Sequence, residues 1–99
     1  MGQVIWSPQA LDDVDAICVY IARDAPRYAE MFARGVFAAT DRLADFPRSG
    51  RVVPELERED YREIVFQSHR VVYRLQGEVV EVITVHHGAR PLDESDVVR

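Results

Sequence analysis

Residues 61–91 read YREIVFQSHRVVYRLQGEVVEVITVHHGARP, and this stretch decides the fold of the chain. It is rich in valine, isoleucine and tyrosine, which favour β-strands, and turn-forming segments interrupt it at Gln67-Ser68 and near Gly77. These features predict three antiparallel strands joined by tight turns, the last of which ends at two histidines and an arginine. The predicted strands are Tyr61–Phe66, His69–Leu75 and Val79–His86.

Charged residues recur in the last two predicted strands at a spacing that places them on one face of the sheet. If the turn lies around Gly77, Arg74 stands opposite either Val79 or Glu81, and both registers leave the same residues on each face. One face would carry Arg70, Val72, Arg74, Glu81, Ile83, Val85 and His87. The other would carry Val71, Tyr73, Leu75, Val80, Val82 and Thr84. A two-residue loop at Gln67-Ser68 would add Tyr61, Glu63 and Val65 to the charged face. Because only a helix-covered face must be apolar throughout, we expect the charged face to be open and functional.

The first half of the chain predicts two helices that form a hairpin. Gln3–Trp6 has the pattern of a short strand, and Ser7-Pro8 supplies an N-cap serine followed by a proline at the first helical position. Apolar residues then recur every three or four positions to about Arg23 and, after Asp24-Ala25-Pro26, again to about Phe46. Helices joined by so short a connection pack as an antiparallel pair.

The order of the predicted elements defines the fold class. Pro47-Arg48-Ser49-Gly50 ends the helical part, Arg51–Pro54 predicts a short edge strand, and Glu55–Asp60 predicts a charged loop. A strand, two helices and then several strands predict a single α+β domain over residues 1–99. In this domain the helical hairpin packs on one face of a mostly antiparallel sheet.

Composition limits the classes of function. The 99 residues carry a formal net charge of −5, whereas a dedicated nucleic-acid binder usually has a basic surface. We therefore expect no direct DNA binding by this chain alone. The single cysteine, Cys18, cannot form an internal disulfide and has the spacing of a core residue. No spacing of metal ligands such as HExxH occurs, so neither a metal nor another cofactor is expected.

The hydropathy pattern bears on location. No apolar run approaches the roughly 20 residues that a membrane-spanning helix needs. The N-terminus also lacks the basic and apolar regions of a secretion signal. We expect a cytoplasmic protein with no membrane partner.

Three segments of the sequence resemble the RelE/ParE toxin superfamily: FPRSGRVVPE (46–55), YREIVFQSHRVVYRL (61–75) and VEVITVHHGARPL (80–92). The terminal HHGARP is closer to the ParE branch than to the RxH ending of the ribonuclease members. Members of the superfamily are toxins of type II toxin–antitoxin operons, including plasmid-stabilisation systems. The resemblance implies a two-layer β-α-α-β(3–4) fold with the first strand beside the last. It also implies a cognate antitoxin whose C-terminal segment wraps the toxin and covers its functional surface.

The superfamily contains two activities, and the resemblance supplies candidates for both. ParE-like members inhibit growth by binding DNA gyrase without turnover, and the acidic composition favours this interpretation. RelE-like and YoeB-like members cut mRNA on the ribosome. In that alternative Arg70 would stabilise phosphate and His87 or His86 would be the general acid. Glu55 or Glu57 would then be the base. A third interpretation is an inactive module that binds the antitoxin and represses its operon.

The resemblance also suggests binding residues. For a protein inhibitor, the predicted target-binding residues are Arg70, Arg74, His87 and Arg90. The edges of the two helices should leave apolar surface for the antitoxin, including the aromatic residues Phe32 and Phe37. A simpler role for Arg74 is a surface ion pair with Glu81 across the two strands, which would contribute less than about 1 kcal/mol to stability. The alternation of side chains along its strand places His86 on the apolar face, so we expect it to have a packing role.

Overall fold

A computed structural model describes residues 2–97, which form a five-stranded sheet and a helical hairpin packed on one of its faces. Residues 1, 98 and 99 of the predicted domain lie outside the described part. The strands are β1 (Gln3–Trp6), β2 (Arg51–Val52), β3 (Tyr61–Phe66), β4 (His69–Gln76) and β5 (Val79–His87). The helices are α1 (Pro8–Ala22) and α2 (Pro26–Asp41), with 3₁₀ turns at Arg42–Ala44 and Glu94–Asp96. The predicted α+β architecture is confirmed.

Ser7 joins the first strand to the first helix. Its Oγ accepts a hydrogen bond from the Ala10 N–H at 3.0 Å and donates one to the Ile83 carbonyl at 2.9 Å. The predicted helix cap is therefore confirmed, and the same hydroxyl ties α1 to β5. The second helix ends at Asp41, earlier than the predicted end near Phe46, because the chain tightens into a 3₁₀ turn. Within residues 2–97, neither helix is long and apolar enough to cross a membrane.

The sheet has the strand order β1-β5-β4-β3-β2. β1 runs parallel to β5, with Gln3 opposite Val79, and the remaining neighbours are antiparallel. The first strand thus lies beside the last, as the resemblance implied. β2 is shorter than the predicted strand Arg51–Pro54, and it covers only the start of β3.

A β-bulge between β4 and β5 changes which side chains share a face. Val72 pairs with Thr84 and the next residue, Tyr73, pairs with Val82. β5 therefore has one extra residue, Ile83, between these partners. One inserted residue inverts the alternation of side chains beyond it.

The bulge corrects part of the predicted face assignment. The register pairs Arg74 with Glu81, Val71 with Val85, Arg70 with His86 and His69 with His87. The pairing of Arg74 with Glu81 is one of the two predicted registers. The prediction that Val85 and His87 share the charged face is wrong, because both lie beyond the bulge. Val85 instead packs in the core beneath the helices.

Tyr73 fixes the segment that leads from the helices to β2. Its buried hydroxyl donates a hydrogen bond to the Pro47 carbonyl at 2.7 Å and accepts one from the Gly50 N–H at 3.0 Å. The backbone of Gly50 lies so close that a Cβ there would come within 2.5 Å of the tyrosine hydroxyl. A side chain at Gly50 would therefore push this turn off the sheet.

The Tyr73→Phe variant tests this anchor. It removes both hydrogen bonds and leaves the buried Gly50 N–H without a partner, so the free energy of unfolding should fall by about 1–3 kcal/mol. Tyr28→Phe is the matched control because Tyr28 is 66% exposed, and it should change stability by less than about 0.5 kcal/mol. Urea unfolding of the three proteins gives the comparison. Equal stability of the two variants would contradict the anchoring role.

Candidate functional site

The sheet face that points away from the helices, called the outer face below, is largely covered. Val72 points to this face because its neighbours Val71 and Tyr73 pack on the helix side. Around it lies a second apolar cluster: Val53, Tyr61, Val72, Leu92 and Val97, with Leu56 and Ile83 packed against them. The loop 53–60 and the C-terminal tail supply part of this cluster. The predicted open face is therefore wrong here, because its apolar side chains need cover of their own.

Arg70 lies buried on the outer face between two carboxylates. Its Nη1 and Nη2 each donate to an oxygen of Glu55 at 2.7 Å, and its Nε donates to Glu63 Oε1 at 2.8 Å. The Arg70 side chain is only 7% exposed. The prediction that Arg70 is an exposed cation is wrong, and its proposed roles in target binding or phosphate stabilisation stay predictions.

Glu63 is the most deeply placed charge of this group. Its side chain is fully buried, and its second oxygen accepts a hydrogen bond from Arg51 Nε at 2.6 Å. Arg51 itself is largely exposed. Glu55, Arg70, Glu63 and Arg51 thus form a chain of alternating charge with no net charge, called the ion-pair chain below. Sequence reasoning placed Glu63 on this face but did not identify its burial.

Glu55 connects the ion-pair chain to the tail. Besides binding Arg70, its Oε2 accepts a hydrogen bond from the Leu92 N–H at 3.0 Å. The hydrogen bonds from Arg70 lower the pKa of Glu55 to about 2, against the opposing effect of desolvation. A general base that works near neutral pH needs a pKa close to 7. Glu55 as held here is therefore poorly suited to take up a proton.

His86, and not His87, stands opposite Arg70 on the neighbouring strand. Among the described residues, neither of its ring nitrogens has a hydrogen-bond partner, and the residue is 7% exposed. Burial lowers the pKa of His86, and the nearby Arg90 and Arg70 lower it further. At neutral pH, His86 is therefore a neutral imidazole. The expected packing role fits its burial, but it packs on the outer face.

His87 lies on the other side of β5, where its ring meets His69 edge to face at a centroid distance of 5.6 Å. Its Nδ1 accepts a hydrogen bond from the Ala89 N–H at 3.1 Å, and the residue is exposed. The predicted grouping of His87 with Arg70 is therefore wrong.

Arg74 lies at the far end of the outer face from His86. It stacks over the Tyr61 ring at 5.5 Å and makes its ion pair with Asp60 at 3.4 Å, not with Glu81. A groove of about 560 Å³ opens beside it. The groove is lined by Ser7, Pro8, Gln9, Asp12, Tyr61, Arg74, Glu81, Ile83 and Val97. The groove is an accessible part of the outer face.

Two further candidates lie at loops. Arg90 is exposed and pairs with Asp96 at 2.8 Å within the tail. Glu57 is exposed and has a left-handed backbone, with φ of 52°, in the loop that carries Glu55.

The two predicted antitoxin residues do not form an exposed edge. Phe32 is buried, where its ring contacts Phe66 and His69, and Phe37 is half-buried against Trp6. The prediction that both are exposed is therefore wrong. Their binding role stays a prediction.

An apolar groove lies instead between α2 and β3, with a volume of about 480 Å³, and is called the α2–β3 groove below. It is lined by Gly35, Ala38, Ala39, Arg42, Leu43, Phe46, Ser49, Ile64, Val65 and Phe66. Val65 and Phe46 are each 66% exposed at its margin. Small residues on α2 leave this space open. In sequence, the repeat of glycine and alanine at positions 35, 38 and 39 was its available signal.

The chain is similar to known proteins in sequence and in fold. Residues 4–92 match the model of the family described as ParE toxin of type II toxin–antitoxin system, parDE. The toxin RelE2 of Caulobacter vibrioides is 32% identical over 90 residues, covering 91% of this chain and 99% of that protein. Toxin ParE1 of Mycobacterium tuberculosis is 37% identical over 97 residues, covering 95% and 97%. A solved chain of the chromosomal ParDE TA system from P. aeruginosa has a TM-score of 0.75 at 18% identity, covering 88% and 96%.

Removal of Arg70 should lower the free energy of unfolding, because the buried Glu63 carboxylate depends on this arginine. Arg70→Ala leaves the Glu63 carboxylate buried without its inner partner, so stability should fall by about 3–5 kcal/mol. Arg74→Ala, which removes a partly exposed arginine from the same strand, should cost less than about 1 kcal/mol. The measurement is the free energy of unfolding in urea.

A double replacement separates charge burial from packing. In Arg70→Leu with Glu63→Leu both buried charges are gone, so the protein should be more stable than Arg70→Ala. A small, equal cost for Arg70→Ala and Arg74→Ala would contradict the buried ion-pair chain.

Proposed function

The chain belongs to the ParE toxin family of type II toxin–antitoxin systems, and we propose that it arrests growth by binding and inhibiting a protein target. DNA gyrase is the target that we propose, and a cognate antitoxin would neutralise the toxin. The observation that carries this choice is the state of Arg70. The cation that a ribonuclease would offer to phosphate is buried and bound by Glu55.

The chemistry of RNA cleavage sets requirements that this arrangement meets poorly. Attack by a 2′-hydroxyl needs a base, an acid and a cation at the phosphate, all of which must reach the substrate. Here Glu55 is ionised and bound to Arg70, and His86 is buried. The net charge of −5 also weakens attraction to RNA, whose binding depends on neutralising phosphates. These features support a stoichiometric binder.

The proposed target contacts are the arginines and the histidine that reach solvent. Arg74 lines the open groove on the outer face, while His87 and Arg90 lie at the other end of the sheet. Arg74 and the β4 residue opposite His87 are five residues apart, or roughly 16 Å along a strand. A protein surface spans such a distance easily, whereas a single substrate group does not. We assign Arg70 an indirect part, since it holds the loop and tail in place.

The antitoxin contact that we propose is the α2–β3 groove. The Tyr61 carbonyl accepts a hydrogen bond from the Val53 N–H, so odd-numbered residues of β3 direct their backbone groups away from β4. In the described chain β2 reaches only as far as Arg62 and Glu63, and Val65 lies beyond it. An extended antitoxin segment can pair with β3 there and place apolar side chains in the groove. Phe32 would support this surface from below through its contact with Phe66.

A ribonuclease is the second candidate, and one observation favours it. The fold brings three of the nuclease candidates together, with Glu55 bound to Arg70 and His86 opposite Arg70. Cleavage of mRNA on translating ribosomes, reduced about 10²–10⁴-fold by Glu55→Gln, would promote this candidate. Glu55→Gln is preferable to Arg70→Ala because it leaves no buried charge unpaired.

A single charge in the groove tests the antitoxin site. Val65→Glu places a carboxylate at the free edge of β3, on the same face as its partner Arg70, where a paired antitoxin strand would pack an apolar side chain. We expect that contact to be worth about 1.5–3 kcal/mol, so affinity should fall about 10–100-fold. Val19→Glu is the control because Val19 is 56% exposed on α1, away from the groove. Calorimetry with the product of the adjacent gene measures both. If Val65→Glu binds as tightly as the native chain, the antitoxin site lies elsewhere. If the native chain does not bind the product of the adjacent gene, that protein is not its antitoxin.

The target is tested by a supercoiling assay with purified gyrase. Inhibition should rise with the ratio of toxin to gyrase and become complete near equal amounts, because a binder inhibits only what it occupies. Arg74→Ala should weaken inhibition about tenfold or more if Arg74 is a principal contact. Arg34→Ala, which removes an exposed arginine from α2, should inhibit like the native chain.

The competing outcomes are distinct. Full gyrase activity at excess toxin, together with growth arrest in cells, would overturn the gyrase proposal. Antitoxin binding without growth arrest would identify the inactive, autoregulatory module.

A further inference from the structure

The C-terminal segment 88–97, called the strap below, is held on the outer face by few contacts. Leu92 and Val97 are buried in the second apolar cluster. At its start, the N–H groups of Gly88, Ala89 and Arg90 donate hydrogen bonds to Ser68 and His87. Farther along, the Leu92 N–H donates to Glu55, and Arg90 forms an ion pair with Asp96 within the strap. Its regular structure is a three-residue 3₁₀ turn. Such a segment can open without disturbing the β-ladders beneath it.

His86 is buried close to the strap, whose Arg90 and Asp96 both act on its charge, and its surroundings oppose a positive charge. Arg70 faces it from β4 and Arg90 from the strap, while Asp96 of the strap and Asp13 of α1 act in the opposite sense. His69 is a further titratable neighbour, on the helix side of β4. Neither nitrogen of His86 has a partner among the described residues, so a second proton would have no acceptor. An imidazolium there would be unpaired and desolvated.

We propose that proton uptake by His86 opens the strap, so that mild acidification uncovers the end of the outer face that carries Arg70 and His86. When the strap lifts, water solvates the imidazolium and Arg90 moves away with the strap. Opening also breaks the hydrogen bond between the Leu92 N–H and Glu55 and exposes the second apolar cluster around Val72. This inference goes beyond the proposed function, because it concerns when the face is accessible and holds for any target.

The sign of the effect follows from linkage. The pKa of His86 is lowered in the closed form and returns to its ordinary value of about 6.5 when the strap opens. The open form therefore binds protons more tightly, and closure is fully favoured above about pH 6.5 and weakens as the pH falls. If His86 stays neutral while closed, the opening equilibrium rises about tenfold between pH 7.5 and 5.5. Glu55, with a pKa of about 2, does not titrate in this range.

Hydrogen–deuterium exchange of the whole chain tests the proposal. Protection factors, corrected for the intrinsic effect of pH on exchange, are compared for strap amides such as Leu92 and Asp96 at pH 7.5 and 5.5. Native strap protection should fall about tenfold at the lower pH, while central amides of β4 and β5 keep theirs. Equal strap protection at both pH values would overturn the proposal.

Two matched variants identify the proton site. His86→Leu removes the titrating group without removing any hydrogen bond found in the described residues, so its strap should stay protected at both pH values. His87→Leu removes the hydrogen bond from the Ala89 N–H at the start of the strap but keeps His86, so the pH-dependent loss of protection at Leu92 and Asp96 should persist. If His86→Leu loses protection as the native chain does, the proposal is wrong. If His86→Leu does not fold, an NMR titration of the native chain decides. The proposal requires the His86 ring signals and the backbone signals of the strap to change over the same pH range.

Discussion

The fully buried carboxylate of Glu63 is the constraint on which the outer half of the structure depends. A buried charge is tolerated only when its partners hold it with good geometry, and Arg51 and Arg70 do so here. Burial of Arg70 in turn requires Glu55, which orders the charged loop. Glu55 also binds the Leu92 backbone, so the tail is fixed by the same network. One carboxylate in β3 therefore determines the position of a strand, a loop and the tail.

The sequence predicted the elements well because local patterns specify them. Alternating β-branched residues located the three long strands, and Ser7-Pro8 located the start of α1. The bulge at Ile83 was not predictable, because VEVITV reads the same with or without an extra residue. Since side chains alternate with a period of two, this one insertion reversed the predicted faces of Val85 and His87.

Charge on a strand face was an ambiguous signal. Arg70 and Glu63 were expected to mark an open surface, yet opposite charges on adjacent strands also satisfy each other when covered. The apolar residues Val72 and Ile83 on the same face, together with Leu92 in the tail, were the evidence for a covering segment. The helix stripes located the apolar faces of α1 and α2, but Phe32 was expected at an exposed edge and is buried. They did not reveal the α2–β3 groove, because the small residues Gly35, Ala38 and Ala39 mark open space only once their neighbours in β3 are known.

The same three side chains have opposite functional meanings in open and closed forms of the outer face. Arg70, Glu55 and His86 hold the types of group that phosphodiester cleavage uses. In the closed form, the Arg70 guanidinium already donates to both oxygens of Glu55, in the same bidentate geometry that a phosphate would offer. An incoming phosphate must therefore displace Glu55 and release the tail that Glu55 holds. This competition favours a structural role for the three groups, and under the proposed function recognition falls to the accessible margins of the face, where Arg74 and Arg90 lie.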